Sequence, residues 1–211
     1  GEMKAMLYFA SIRFGKTLPS VEPGQPHELY YIGPTFYGNT SNILVINYEP
    51  PGCFRVVDAE VEADNRLLPP AVRDVARVSN QRVILLEKQN QLPGQFYGGE
   101  PKQGWCYYFG QAELARQQGD WETVTHLGDA AFSLDDYPND PLEYFAYIEG
   151  YAHLGDWEKA VELSTTSYKI SRNFVGPLLC RLWDRIERET QSTPEQVSAL
   201  DDVRSKYVCS P

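Results

Sequence analysis

No stretch of the 211-residue chain is apolar for long enough to cross a membrane as a helix. A span needs about 20 such residues, and the longest apolar runs, Ile43 to Ile46 and Val83 to Leu86, are of strand length. Histidine is scarce and isolated, at His27, His126 and His153, and the cysteines at 53, 106, 180 and 209 include no C-x-x-C pair. Structural zinc sites bring their ligands in close pairs, so neither a metal nor a cofactor is expected. Scattered cysteines read first as small buried apolar residues. The alternative, disulfides, requires an oxidising compartment. Positive charge is also short: 19 basic residues stand against 29 acidic ones, a net charge of −10 with pI near 4.8. Such a field repels phosphate backbones and anionic lipid surfaces, so nucleic acid is not an expected partner. The sequence opens on Gly1 without a signal peptide, which suggests a cleaved tag or a soluble domain taken from a longer protein.

What is present is enough apolar and aromatic residue, 42% and 13%, for one good core or two small ones. Up to Gly104 the chain reads as strand and turn. Leu7 to Phe14, His27 to Ile32, Asn42 to Tyr48 and Phe54 to Asp58 are rich in β-branched and aromatic residues, and Gly, Pro and Asn bound them. A short helix is expected over Ala71 to Val78 and a further strand over Arg82 to Glu87, before the turn-rich stretch from Leu92 to Gly104.

From Trp105 the apolar period changes from two to about 3.6 residues, and Gly-Asp-Trp-Glu occurs at Gly119 and again at Gly155, a separation of 36 residues (155 − 119). Tyr108, Ala112 and Ala115 share a face, and adding the same interval returns Tyr144, Ile148 and Tyr151. The repeated unit is a helix, a tight turn and a second helix. Gly takes the left-handed conformation that ends the first helix, Asp caps the second, and Trp is expected to lie buried between the two. This unit resembles the tetratricopeptide repeat, with Tyr108 and Tyr144 as the early aromatic and Ala112 and Ile148 at the crossing. It departs from the pattern in its longer spacing and in Gly128, where an aromatic is expected. Pro177 is read as the opening of a third first-type helix that caps the array. A final helix starts at Thr193-Pro-Glu-Gln196, with Thr193 as cap and Gln196 reaching back to it.

Three longer phrases, Asn42 to Asp58, Trp105 to Val124 and Pro138 to Ala160, resemble the C-terminal soluble domain of uncharacterised multi-pass bacterial membrane proteins of the glycosyltransferase-like kind. That resemblance implies an extracytoplasmic location and a membrane domain outside this sequence. It supplies no catalytic residues.

No catalytic set stands out in the residues either. Cys106 lies between two aromatics with no histidine beside it, and the acidic pairs Asp135-Asp136 and Asp201-Asp202 belong to solvated faces. Gly98-Gly-Glu-Pro101 lacks the setting of a phosphate loop. Asn39-Thr40-Ser41 fits a glycosylation acceptor pattern. In stacked helix pairs the first helices line a concave wall, which here carries Phe109, Glu113, Arg116 and Gln117 from one repeat and Phe145, Glu149 and His153 from the next. An open wall of this composition suits a peptide or a glycan; alternatively, the N-terminal half folds over it and the aromatics are core.

The expected fold is α+β, a β-rich segment (1–104) packed on a short tetratricopeptide-like helical segment (105–211). The expected function is a non-catalytic binding or scaffolding domain, the extracytoplasmic part of a polytopic membrane protein, that recognises a peptide or glycan through the wall. The alternative is an accessory acceptor-binding domain of a membrane glycosyltransferase.

Overall fold

The computed structural model describes residues 22–30, 35–84, 103–207 and 209. The chain is mostly helical, with a small antiparallel sheet of two strands near its N-terminus, β1 (Pro26–Tyr30) and β2 (Thr35–Asn39). A second pair, β3 (Ile46–Asn47) and β4 (Arg55–Val56), is only two residues long on each side. The expected strand over Asn42 to Tyr48 is cut to this length because its backbone groups find partners elsewhere. Asn80 N–H donates to the Ile43 carbonyl at 2.7 Å, and Val45 N–H donates to Ser79 Oγ at 3.2 Å. Helix α1 (Pro70–Ala76) starts one residue before the expected helix and ends two before it. The expected strand at Arg82 begins instead in a single 3-10 turn, Gln81–Val83, because the Asn80 side chain accepts from Arg82 N–H at 3.1 Å. The remainder of that expected strand, and the one at Leu7 to Phe14, lie outside the described residues.

Beyond residue 103 the chain forms three successive helix pairs: α2 (Trp105–Gln118) with α3 (Trp121–Phe132), α4 (Phe145–His153) with α5 (Trp157–Ile170), and α6 (Arg172–Glu189) with α7 (Pro194–Tyr207). The first two turns are built alike. Gly119 and Gly155 have φ of 70° and 81°, and Asp120 and Asp156 each accept from the backbone N–H three residues on, both at 3.1 Å. Any L side chain at either glycine would be strained there.

The tryptophans after these turns correct one expectation. Trp121 and Trp157 are half-buried and lean on the first helix of the following pair: Trp121 stacks on His153 at 3.8 Å, and Trp157 meets Trp183 at 6.5 Å. Each is the first residue of its helix and reaches across to the neighbouring pair.

Gly128 replaces an aromatic because Tyr147 already fills that place. A Cβ at Gly128 would stand 2.8 Å from Tyr147 Cδ1, while one at Gly150 would stand 2.5 Å from Val124 Cγ1. The two glycines let α3 and α4 approach closely, each making room for a side chain of the other.

Pro177 does not open α6 but lies inside it, since Phe174 and Val175 N–H groups both bond to Ser171 and start the helix earlier. At α7 the Thr193 hydroxyl accepts from Gln196 N–H at 3.2 Å as expected, whereas the Gln196 side chain donates to Thr190 Oγ1 at 2.8 Å rather than returning to Thr193.

All four cysteines are paired, which corrects their reading as buried thiols: Cys53 with Cys106, and Cys180 with Cys209. The first bridge ties the segment around β4 to α2, and the second ties α6 to the residue just past α7. One apolar core runs through all three helix pairs and takes in Cys53 and Val61. A smaller one joins Val45, Val57 and Leu68 to α1. Among the described residues no helix is long and apolar enough to cross a membrane.

Candidate functional site

Helices α2, α4 and α6 stand side by side, and the 36-residue interval brings equivalent positions into line: Glu113, Glu149 and Arg185 form one row, and Gln117, His153 and Glu189 form the next. This is the expected wall, but it is not open. The segment from Cys53 to Asp64 lies across it, fastened at one end by the disulfide to α2 and by Cys53 N–H donating to Glu143 Oε1 at 2.7 Å. At the other end, Arg181 of α6 donates to the Val61 carbonyl at 3.2 Å and to Asp64 at 3.0 Å.

Between these ends the segment lays alternate carboxylates on the arginines of the wall. Arg185 donates to both oxygens of Glu149, from Nε at 2.7 Å and from Nη2 at 2.9 Å, and reaches Asp58 Oδ2 with Nη1 at 2.6 Å. Arg116 pairs with Glu113 at 3.1 Å and with Asp58 and Glu149 at 3.5 Å each. Glu60 is shared by Arg185 and Arg188. Arg55 turns back onto Glu62, donating to both of its oxygens at 2.8 Å, and Glu62 in turn accepts from Asn65.

Burial and pairing pull the titrating groups apart. Burial pushes the Asp58 carboxyl up, but the Arg116 and Arg185 guanidiniums outweigh it and hold Asp58 below the usual carboxylate range. For Glu149 burial wins over the same two cations, so its pKa is raised. Burial lowers His153 despite the nearby Glu189 carboxylate.

Of the seven wall residues, Phe109, Glu113, Arg116, Phe145 and Glu149 surround one small cavity of about 20 Å³, enough for roughly one water molecule. Phe109 and Phe145 are core side chains, at 1% and 7% exposure, so the covering alternative describes them. Gln117 and His153 lie one turn further along and do not line the cavity. Asp58, Glu60, Glu62, Arg55 and Arg185 complete the network and were not singled out in the sequence. Arg185 was within reach, since it stands one repeat interval after Glu149. The carboxylates of the segment had no comparable signal, because nothing local tells Asp58 to Glu62 that it will meet α6.

At the end of the wall, ligand atoms of Glu149, His153 and Glu189 lie within 4.8 Å of one another, the one group among the described residues placed to share a metal ion. On the outer side of the first pair, a shallow open groove of about 290 Å³ runs between α2 and α3, with Tyr107, Gln111, Leu114, Gln118, Asp120 and Thr123 among its lining. Among the described residues no cation lines it. Comparison with family models, with curated proteins and with solved structures finds no match to the chain.

Proposed function

We propose that the chain is a non-catalytic, tetratricopeptide-like recognition module that works in an oxidising, extracytoplasmic compartment as part of a polytopic membrane protein, and that its ligand is a neutral glycan. The observation that carries the non-catalytic reading is the closed wall. Its carboxylates and guanidiniums pair with one another at 2.6 to 3.5 Å, and the space left among them holds about a water molecule. A general acid or base needs a substrate proton within hydrogen-bond reach, and this arrangement leaves no room for a substrate. The two disulfides support the compartment.

With the wall covered, recognition passes to the open groove on α2 and α3. Tyr107, 40% exposed, presents a flat ring set edge-on to Tyr108 at 5.4 Å, and the amides of Gln111 and Gln118 lie along the same groove. An aromatic face with amide donors and acceptors suits the apolar face and hydroxyls of a sugar. The Asp120 carboxylate in the groove and the net charge of −10 disfavour an anionic ligand. A glycan ligand also fits an accessory acceptor-binding role beside a membrane glycosyltransferase.

Neutral oligosaccharide and peptide libraries presented to the whole chain, to Tyr107→Ala and to Gln111→Ala test this reading. Glycan binding that falls about tenfold or more in both variants supports it. Selective peptide binding, or glycan binding unchanged in both variants, overturns it.

A further inference from the structure

We infer that Glu149, His153 and Glu189 form a binding site for a late first-row divalent cation, with zinc as the reference ion. Two of the ligands come from the last turns of α4, four residues apart on one face, and the third is the last residue of α6. The site would therefore clip the first helices of the second and third pairs together at their ends.

The first observation is spacing. His153 Nε2 faces Glu189 Oε2 at 3.5 Å, an ion-pair distance at the far edge of hydrogen bonding. Two ligands held about 2.0 to 2.2 Å from a tetrahedral zinc ion stand roughly 3.4 Å apart. The gap is thus long for a hydrogen bond and matches two ligands of one metal ion.

The second observation is an orphan. The His153 side chain is only 9% exposed, yet its Nε2 is buried without a hydrogen-bond partner. Buried polar atoms are rarely left so, and a cation between Nε2 and the Glu189 carboxylate would satisfy both groups. The ring is already fixed in plane by Trp121, stacked at 3.8 Å and 11°.

The local charge also asks for a cation. Asp58, Glu60, Glu113, Glu149 and Glu189 are five carboxylates, against the three guanidiniums of Arg116, Arg185 and Arg188, an excess of two negative charges (5 − 3). One divalent ion balances it. Arg185 occupies one lone pair on each Glu149 oxygen and holds that carboxylate in orientation, as outer hydrogen bonds do at metal sites. Glu149 is consequently the weakest ligand of the three. Glu189, 45% exposed, gives the ion its way in. Imidazole selects against magnesium and calcium, which take oxygen ligands.

The test is zinc titration by calorimetry into the whole, chelator-stripped chain, with cobalt absorption as a second readout of coordination. No free thiol among the described cysteines competes for the metal. One equivalent should bind at roughly 10 µM or tighter. His153→Gln and Glu189→Gln should each weaken binding by about tenfold or more while keeping the far-ultraviolet dichroism of the parent, and Asp201→Asn, on α7, should not. The thermal midpoint of the parent, but of neither ligand variant, should rise with zinc. Absence of stoichiometric binding, or binding unchanged in both ligand variants, overturns the assignment and leaves His153 and Glu189 as an ordinary ion pair.

Discussion

Arg185 and Glu149, 36 residues apart (185 − 149) on neighbouring first helices, meet in a two-point ion pair of 2.7 and 2.9 Å, and the same guanidinium holds Asp58 from 127 residues away. Glu149 is 2% exposed and Arg185 9%, so neither charge can turn to water if its partner is removed. Arg185→Ala is expected to cost about 3 to 5 kcal/mol, because it leaves two buried carboxylates with only Arg116, at 3.5 Å from each, to balance them. Pairing Arg185→Met with Glu149→Met and Asp58→Met should recover much of that loss, since it removes the stranded charges as well. Urea unfolding curves for the single and combined variants measure the difference, and equal losses in both would sink this account of the ion pair.

Stability should fall in acid through Asp58. Its folded pKa lies below the unfolded one, so the unfolded chain binds the extra proton and stability rises with pH through that window. The contribution is present above about pH 4 and is lost as pH drops towards the folded value. The charges facing Asp58 are Arg116 and Arg185, with Glu149 beyond them. In Asp58→Asn the thermal midpoint should start lower at neutral pH and decline less steeply below pH 4.

The Cys53–Cys106 bridge spans 53 residues, the Cys180–Cys209 bridge 29. By chain entropy their loss costs about 4 and about 3.6 kcal/mol. Replacing the first pair by Ala should therefore cost at least as much as replacing the second, and only the first should speed proteolysis within Phe54 to Asp64. Peptide mapping of the unreduced protein should recover these two linkages and no other.

Trp183→Ala is expected to cost about 3 to 5 kcal/mol, and Trp121→Ala roughly half of that. Trp183 is 1% exposed, with its indole N–H donating to Ser164 at 2.9 Å, while Trp121 is half-buried. Denaturant titration ranks the two, and acrylamide should quench the Trp121→Ala variant less than the parent.

Two helical glycines should respond in opposite directions to alanine. A methyl group at Gly110 would meet nothing within 4 Å, so Gly110→Ala should stabilise by about 0.5 to 1 kcal/mol. Gly150→Ala would drive a methyl into Val124 and should cost roughly 1 to 3 kcal/mol. Thermal midpoints decide both.

The helical half was legible in the sequence where its signals are local. Gly119-Asp120 and Gly155-Asp156 state a turn and a cap within a few residues, and both form. The third pair escaped as a repeat because Gln191 and Thr193 stand where Gly and Trp would mark it, although the 36-residue phase continues. In the N-terminal half the apolar alternation of Asn42 to Tyr48 was real. A strand also needs a neighbour, and Ser79 and Asn80 took its hydrogen bonds. The wall residues were identified by position, but their neighbours were not, since the contact of Asp58 with Arg185 has no trace in either segment alone.

Every residue of α4 from Phe145 to Ala152 is buried. A helix covered on all sides has no amphipathic stripe to guide it onto a surface by itself, and it forms only when α2, α3, α5, α6 and the covering segment are in place around it. Opening either end of the array would expose the apolar residues of one side to water and separate Glu149 from one of its guanidinium partners, Arg116 or Arg185. Partly open molecules are therefore scarce, and amide exchange along α4 should proceed only through complete unfolding, at a single rate from one end of the helix to the other.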